Sequence, residues 1–344
     1  MRIGTICLST LSGTIPRDFH RNGIITDVLV VSKPGDFSKS WYPGSSLATA
    51  NNIQKMLDEV DAVLLFEGVM NHDLVVGAHD RNLPIAYMPI YGWSNPNLLI
   101  HADLFLCPSP VEYAQYSSTT TRTVQVTVPV SQMWRLRNNA RSFVHNAGSQ
   151  TRSGTPEILQ SMQFVKSPIA LTIFGRPTVQ TGKYDDNKPI LSQSIIAKLA
   201  ESFTTDNRVT FVLNEPEPEN FSLYDRGDVF LQLPKFGGLS LPLQEAFSSG
   251  MLVLTTDRKP FTDWLPNRPM VSTNGSTHGQ GAVALTQDVL DPAGIATAID
   301  AWYERDIDAF SLAGQQWAEE NSWTVWKPRY IEILDDLIRR HRRR

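Results

Sequence analysis

The sequence predicts an α/β protein made of two doubly wound parallel sheets, and three observations carry that expectation. Short apolar runs such as DAVLLF (Asp61–Phe66) and PIAYMP (Pro84–Pro89) read as strands buried on both faces. Amphipathic helical stretches alternate with them over short connections, as a parallel sheet with crossover helices requires. The alternation breaks once, at the polar SQMWRLRNNARS of Ser131–Ser142, and then restarts. A chain of 344 residues with 41% hydrophobic side chains is long enough for two cores.

In chain order, Met1–Ser9 and Asp27–Ser32 read as strands and Leu47–Glu59 as a helix. The Asp61–Phe66 strand ends at Glu67-Gly68, and Asn71–Asp80 is helical. Pro84–Pro89 and Leu104–Cys107 are strands, Pro110–Tyr116 begins a helix, and Val124–Val128 closes the first half. After the linker, Phe143–Asn146, Ile169–Phe174, Val209–Leu213, Asp228–Leu233 and Met251–Thr255 read as strands. Pro156–Phe164, Ser192–Ser202 and Leu241–Ser249 read as the helices among them. Helical segments follow near Pro292–Glu304, Arg305–Glu320 and Trp326–Arg340, with Pro328 suited to a first turn. The expected domains are residues 1–130 and 143–320, joined by a linker at 131–142. Residues 321–344 form a last helix, expected from its Trp317, Trp323 and Trp326 lead-in to pack across both.

Composition narrows the function classes. A net charge of −4 and a pI near 6.0 do not describe a protein coated in positive charge. No run approaches the roughly 18 apolar residues of a membrane span, and the N-terminus reads as a first strand rather than a signal peptide. Cys7 and Cys107 lie among apolar residues and read as buried free thiols, which makes the cytoplasm the default compartment. The RRHRRR end supplies Arg339, Arg340, Arg342, Arg343 and Arg344. Those residues suit a solvated helix end or a grip on phosphates, so a peripheral place on membrane or DNA stays open.

Ligands of open parallel sheets bind beyond the carboxyl ends of the strands, so the loops there carry the functional candidates. In FVHNAGSQTRSGTPEIL, a strand ends at His145-Asn146, and a small-residue loop with Gly148 and Arg152 leads to Thr155-Pro156 at a helix start. Thr155 is expected to cap, with Pro156 at the first helical position, so that backbone amides and Arg152 face one anion. The loop carries no GK[ST], and no GxGxxG follows the first strand. In PKFGGLSLPLQEAF, Gly237-Gly238 allows close approach to a ligand, with Leu239 next and Ser240 as the expected cap. Glu245, about one turn into that helix, suits the diol of a ribose. Asn214, after a strand, is placed for a base, and Gly175-Arg176 and Lys183 add charge nearby. Tyr224 reads as packing. His145 suits either a ligand sugar or a backbone carbonyl. His72 and His79 are seven apart, poor for a shared metal, and no Cys/His cluster or DxD-like pair asks for one.

The segment DVFLQLPKFGGLSLPLQEAFSSGMLVLTTD resembles the donor site of retaining GT-B glycosyltransferases of group 1. FVHNAGSQTRSGTPEILQSM resembles their phosphate-binding loop, and YMPIYGW with LFLCPSP resembles their N-terminal domain. The resemblance implies a GT-B fold, two Rossmann-like domains facing across a cleft. It implies transfer of a sugar from a UDP- or GDP-sugar to an acceptor hydroxyl, with retention and with no bound cofactor or metal. Glu67 and His145 become the catalytic candidates. Gly13, Asn146, Gly148, Arg152, Asn214, Gly237, Gly238, Leu239, Ser240 and Glu245 become donor contacts, and His20 and Trp93 acceptor contacts. Gly237 stands where the family carries a glutamate, Ser149 where an arginine is usual, and Phe66 where many members carry a histidine. The acceptor is open: a glycan, a lipid-linked sugar, or a hydroxymethylated DNA base gripped by Arg135, Arg137, Arg141 and the tail. A nucleotide-sugar epimerase and a non-catalytic sugar-nucleotide binder are the alternative activities.

Overall fold

A computed structural model describes residues 1–8, 14–31, 42, 44–67, 72–90, 94, 101–130, 134–148, 151–185, 188–203, 206–213, 221–265, 269–278 and 286–343. The chain divides into two compact units, Met1–Pro129 with Asn321–Arg344, and Val130–Glu320.

Unit 1 runs β1 (Ile3–Leu8), α1 (Thr14–Arg21), β2 (Asp27–Val31), β3 (Ser46–Leu47), α2 (Ala50–Glu59), β4 (Ala62–Phe66), α3 (His72–Asp80), β5 (Ile85–Met88), β6 (Leu104–Cys107), α4 (Pro110–Tyr116) and β7 (Arg122–Gln125). The described strands form one parallel sheet in the order β3-β2-β1-β4-β5-β6-β7. Ile6, Val63, Leu65, Tyr87 and Phe105 bury one face against Ile53, Met56, Leu57, Leu74 and Val75 of α2 and α3. Local chemistry sets the helix starts. Thr49 accepts from the Asn52 amide, and at the head of α4 Ser109 accepts from the Val111 amide while its hydroxyl donates to the buried Glu112 carboxylate. Cys7 and Cys107 are buried thiols, pushed up to about 11 and about 12 by loss of solvent.

Unit 2 runs β8 (Ser142–Gly148), α5 (Thr155–Ser161), β9 (Ala170–Gly175), β10 (Thr178–Asp185), β11 (Lys188–Gln193), α6 (Ile195–Ser202), β12 (Val209–Leu213), α7 (Phe221–Tyr224), β13 (Val229–Gln232), α8 (Leu241–Ser248), β14 (Leu252–Thr256), α9 (Phe261–Trp264), β15 (Met270–Val271), β16 (Thr273–His278), β17 (Thr286–Leu290), α10 (Pro292–Trp302) and α11 (Asp308–Glu320). Its parallel sheet has the order β12-β9-β8-β13-β14-β15. Counted within the unit, that is 3-2-1-4-5-6, the doubly wound order. Successive β13 residues go to opposite faces: Val229 and Leu231 pack with Ile158, Ile295 and Ile299, and Phe230 with Leu243, Phe247 and Phe261. A strand covered by helices on both sides is apolar at every position, which is why VFL carries no alternation.

The structure corrects several sequence expectations. The stretch read as a linker packs on unit 2. Arg137, 3% exposed, donates to the backbone carbonyls of Gly227, Tyr224 and Ser249, and Trp134 donates from Nε1 to Ser311 O at 2.9 Å. The hairpins β10–β11 and β16–β17 were not expected. The last helix, α12 (Trp323–His341), starts three residues earlier than read, so Pro328 lies inside it. By packing, α12 belongs to unit 1, where Phe19 meets Trp323 and Tyr330 at ring-centroid distances of 5.2 and 4.7 Å.

Candidate functional site

The strand order of unit 2 reverses direction between β8 and β13, and a crevice opens at such a switch point beyond the carboxyl ends of the strands. The residues there come from the ends of β8 and β13 and the loops that follow. Gln232, nearly buried, donates from Nε2 to Asn146 O at 3.0 Å and accepts the Asn146 amide on Oε1 at 3.2 Å. This reciprocal clamp joins the two strand ends where the sheet ladder between them stops. The Asn146 side chain then accepts the Gly148 amide at 3.2 Å. Gly148 has φ +58°, and an added Cβ there would meet nothing within 4 Å.

The loop after β8 is tied to the loop after β13 through backbone bonds. The Leu233 amide reaches Ser153 O at 3.2 Å, and the Lys235 amide reaches Arg152 O at 2.9 Å. That close approach requires Gly154, at φ +82°, where a Cβ would fall 2.9 Å from Leu233 O. Gly154 rather than Thr155 occupies the cap position of α5, because the Thr155 hydroxyl is committed elsewhere.

His145 holds that hydroxyl. The imidazole is 0% exposed, with Nδ1 2.7 Å from Leu231 O and Nε2 2.8 Å from Thr155 Oγ1. A carbonyl only accepts, so Nδ1 carries the proton and Nε2 accepts from the threonine. Burial lowers its pKa to about 4, and the ring stays neutral at pH 7. The expected catalytic contact is therefore corrected: His145 ties β8, β13 and α5 together and exposes no nitrogen to a ligand.

After β13 the chain turns through Gly237, at φ +135°, into α8. The amides of Gly237, Gly238, Leu239 and Ser240 have no hydrogen-bond acceptor among the described residues, although Gly238 and Leu239 are buried. Buried backbone N–H groups are nearly always paired, so the Gly238 and Leu239 amides, flanked by two half-buried ones, offer donors to an acceptor-rich ligand. Ser240 stands at the cap position of α8 at φ +49°, and its side chain makes no capping bond, contrary to the expectation from sequence.

Glu245 lies one turn into α8, half-buried. Tyr224 donates to its Oε2 at 2.5 Å from within the apolar cluster around Phe230 and Phe247. Burial and the adjacent carboxylate push the Tyr224 pKa well above its usual value, so the phenol stays a donor. Tyr224 packs, as expected, and also orients Glu245.

Sequence reasoning missed a pair at the same crevice. Lys235 Nζ lies 2.6 Å from Glu157 Oε1, with the two side chains 18% and 20% exposed. The signal was legible in PKFGG: a cation two residues ahead of the paired glycines.

In unit 1 the sheet reverses direction between β1 and β4. Glu67 follows β4 at φ +51°, half-buried; its amide donates to Met88 O at 3.1 Å, and its carbonyl accepts from Tyr87 Oη. Phe66, before it, is buried edge-on against Phe19 at 5.4 Å, so the end of β4 is closed by a ring. His20, in the last turn of α1, has Nδ1 3.1 Å from Ile25 O. His79 and His101 share a hydrogen bond of 3.1 Å, and among the described residues no group of three ligating side chains could hold a metal. Gly13, Trp93, Asn214 and Arg344 lie outside the described residues. The expected phosphate-gripping role of Arg137 is corrected, since its guanidinium is spent on backbone carbonyls and burial lowers its pKa to about 10. In the tail, Arg340 pairs with Asp336 at 2.8 Å and Arg342 with Asp61 at 2.7 Å. No described helix is long and apolar enough to cross a membrane.

No protein-family model and no curated protein matches this sequence. Solved structures do. Anabaena HepE in complex with UDP and glucose is similar over 98% of this chain and 100% of its own, with a TM-score of 0.70 at 10% identity. Sucrose-phosphate synthase from Thermosynechococcus elongatus is similar over 98% and 99%, with a TM-score of 0.67 at 11% identity. The GtfA/B complex matches 84% of this chain at a TM-score of 0.57 and 13% identity, and the chain spans only 60% of that partner's length. Likeness at such identity shows the fold, and the fold is GT-B, two Rossmann-like units.

Proposed function

We propose that this protein is a glycosyltransferase that takes a nucleoside diphosphate sugar in unit 2 and transfers the sugar to an acceptor hydroxyl. The observation that carries the reading is the run of unpartnered amides from Gly237 to Ser240 at the switch point of a doubly wound sheet. A diphosphate offers many acceptors and develops charge as the sugar leaves. Fixed N–H dipoles aimed at a leaving group stabilise that charge without reorganising. Glu245, oriented by Tyr224, suits the ribose diol, and Asn146, Gly148 and Arg152 frame the phosphates from the β8 side. The fold neighbours support a nucleotide donor, because HepE was solved with UDP and with UDP-glucose. Acceptor recognition is assigned to unit 1, with Glu67 and His20 as contacts, and retention of configuration is carried from the resemblance alone.

A second reading, a sugar-nucleotide binder without turnover, is favoured by the enclosed His145 and by Gly237 in place of a glutamate. One experiment separates the two. Thermal shifts with a panel of UDP- and GDP-sugars at millimolar concentration should raise the melting point of the wild type for one donor, and less for Glu245→Ala. Release of UDP or GDP on adding acceptors then marks a transferase; stabilisation without release marks a binder. No shift with any nucleotide sugar would remove the donor-site reading altogether.

A further inference from the structure

We propose that Lys235 supplies a cation for the donor diphosphate and that Glu157 is its positioning residue; this rests on the nucleotide reading of unit 2. The main chain around Lys235 is held from three sides. Its amide donates to Arg152 O at 2.9 Å, its carbonyl accepts the Asp288 amide at 2.8 Å, and Pro234 O before it accepts Thr256 Oγ1 at 3.2 Å. The side chain is four-fifths buried, and the sole partner of its amine among the described residues is Glu157 Oε1 at 2.6 Å. An ammonium has three donors, so two remain for a ligand. Glu157 Oε2 is buried with no hydrogen-bond partner.

Such a pair is a poor device for stability. Two long charged side chains lose solvent there, and the mutual attraction of a buried pair commonly fails to repay that loss. Its place argues for a ligand instead. Lys235 stands two residues ahead of the unpartnered amides that begin at Gly237, so one short segment presents backbone donors and an ammonium together. A lining made of donors asks for an acceptor-only, negatively charged group, which a diphosphate is and a sugar hydroxyl is not. Glu157 fixes the amine and offsets its charge. Lys235 stands on the loop that follows β13, at the switch point of the unit 2 sheet.

The test is calorimetric titration of the full-length wild type, Lys235→Met, Lys235→Arg, Glu157→Gln and Glu157→Ala with UDP and GDP. Binding of the matching nucleoside, uridine or guanosine, is followed by ligand-observed NMR. Loss of a charged hydrogen bond predicts that Lys235→Met weakens the diphosphate by about tenfold or more while the nucleoside changes by less than about twofold. Lys235→Arg should recover part of the affinity. Glu157→Gln, which keeps the acceptor oxygen, should bind nearly as the wild type does, whereas Glu157→Ala should not. Equal loss of diphosphate and nucleoside would assign Lys235 a structural role and overturn the proposal. Unchanged UDP or GDP affinity in Lys235→Met would overturn it too and leave the nucleotide reading intact. Failure of the wild type to bind either diphosphate would take down both.

Discussion

His145 occupies a strand end where position alone suggested a ligand contact, and its partners give it another task. Position along a strand is legible in sequence, but whether a ring faces outward depends on Leu231 and Thr155, 86 and 10 residues away. Its pKa of about 4 has a measurable consequence. In the unfolded chain the imidazole takes up a proton near pH 6.5, and in the folded protein only near 4. Between those values the unfolded state binds more protons. The stability His145 contributes is therefore complete above about pH 6.5 and is lost as pH falls toward 4. For a fully buried ring the loss amounts to about 2–3 kcal/mol over that window. Denaturant titrations from pH 7 to 4 should show that dependence in the wild type and a flatter one in His145→Gln. Parallel curves would mean that His145 does not control it. The glycines were better signalled: GSQTRSG and KFGG announced tight backbone, and Gly154 and Gly237 do sit at positive φ. Ser240 at φ +49° was not, because serine gives no hint of a left-handed position.

At the scale of elements, the buried strands were legible because each is a continuous apolar run between turns, with ends misread by one or two residues. The hairpins β10–β11 and β16–β17 were not. TVQTGKYD and TNGSTH are polar and carry Gly within the strand, so neither an apolar run nor a clean alternation marks them. Helix contacts were also invisible, because they depend on residues far apart in sequence. Gly314 of α11 faces α8 so closely that a Cβ would lie 2.1 Å from Phe247 O. Gly294 of α10 has its nearest such neighbour at 3.4 Å. The same substitution should then have opposite signs. Alanine gains up to about 1 kcal/mol over glycine inside a helix. At Gly294 nothing opposes that gain, and Gly294→Ala should stabilise. At position 314 the backbone must move, and overpacking costs about 1–3 kcal/mol, so Gly314→Ala should be net destabilising. Equilibrium unfolding of the two variants decides it; equal shifts of the same sign would mean the α8–α11 contact is slack.

At the scale of the molecule, alternation told that the core strands run parallel, but neither their full number, since the short β3 and β15 and both hairpins went unread, nor their order. Order depends on which strand returns beside which, and both sheets settle it as 3-2-1-4-5-6 around a switch point, unit 1 adding β7 at the far edge. The sequence also placed a helix at the C-terminus, and its Trp-rich lead-in was read as carrying it across both domains, whereas it groups with unit 1. Its place follows from rings: Tyr330 is fully buried, its hydroxyl donates to Thr127 O at 2.7 Å, and it lies edge-on to Phe19 of α1 at 4.7 Å. Unit 1 is therefore discontinuous in the chain, closed by residues that come after all of unit 2. Removing the Tyr330 ring should cost about 3–5 kcal/mol, the usual penalty for emptying a large aromatic site. That loss should fall on unit 1. In Tyr330→Ala, hydrogen exchange should accelerate at the amides of β1 and β4, and those of β8 and β13 should keep their protection. If the two sets lose protection together, the units unfold as one, and α12 supports the whole molecule rather than the unit it packs in.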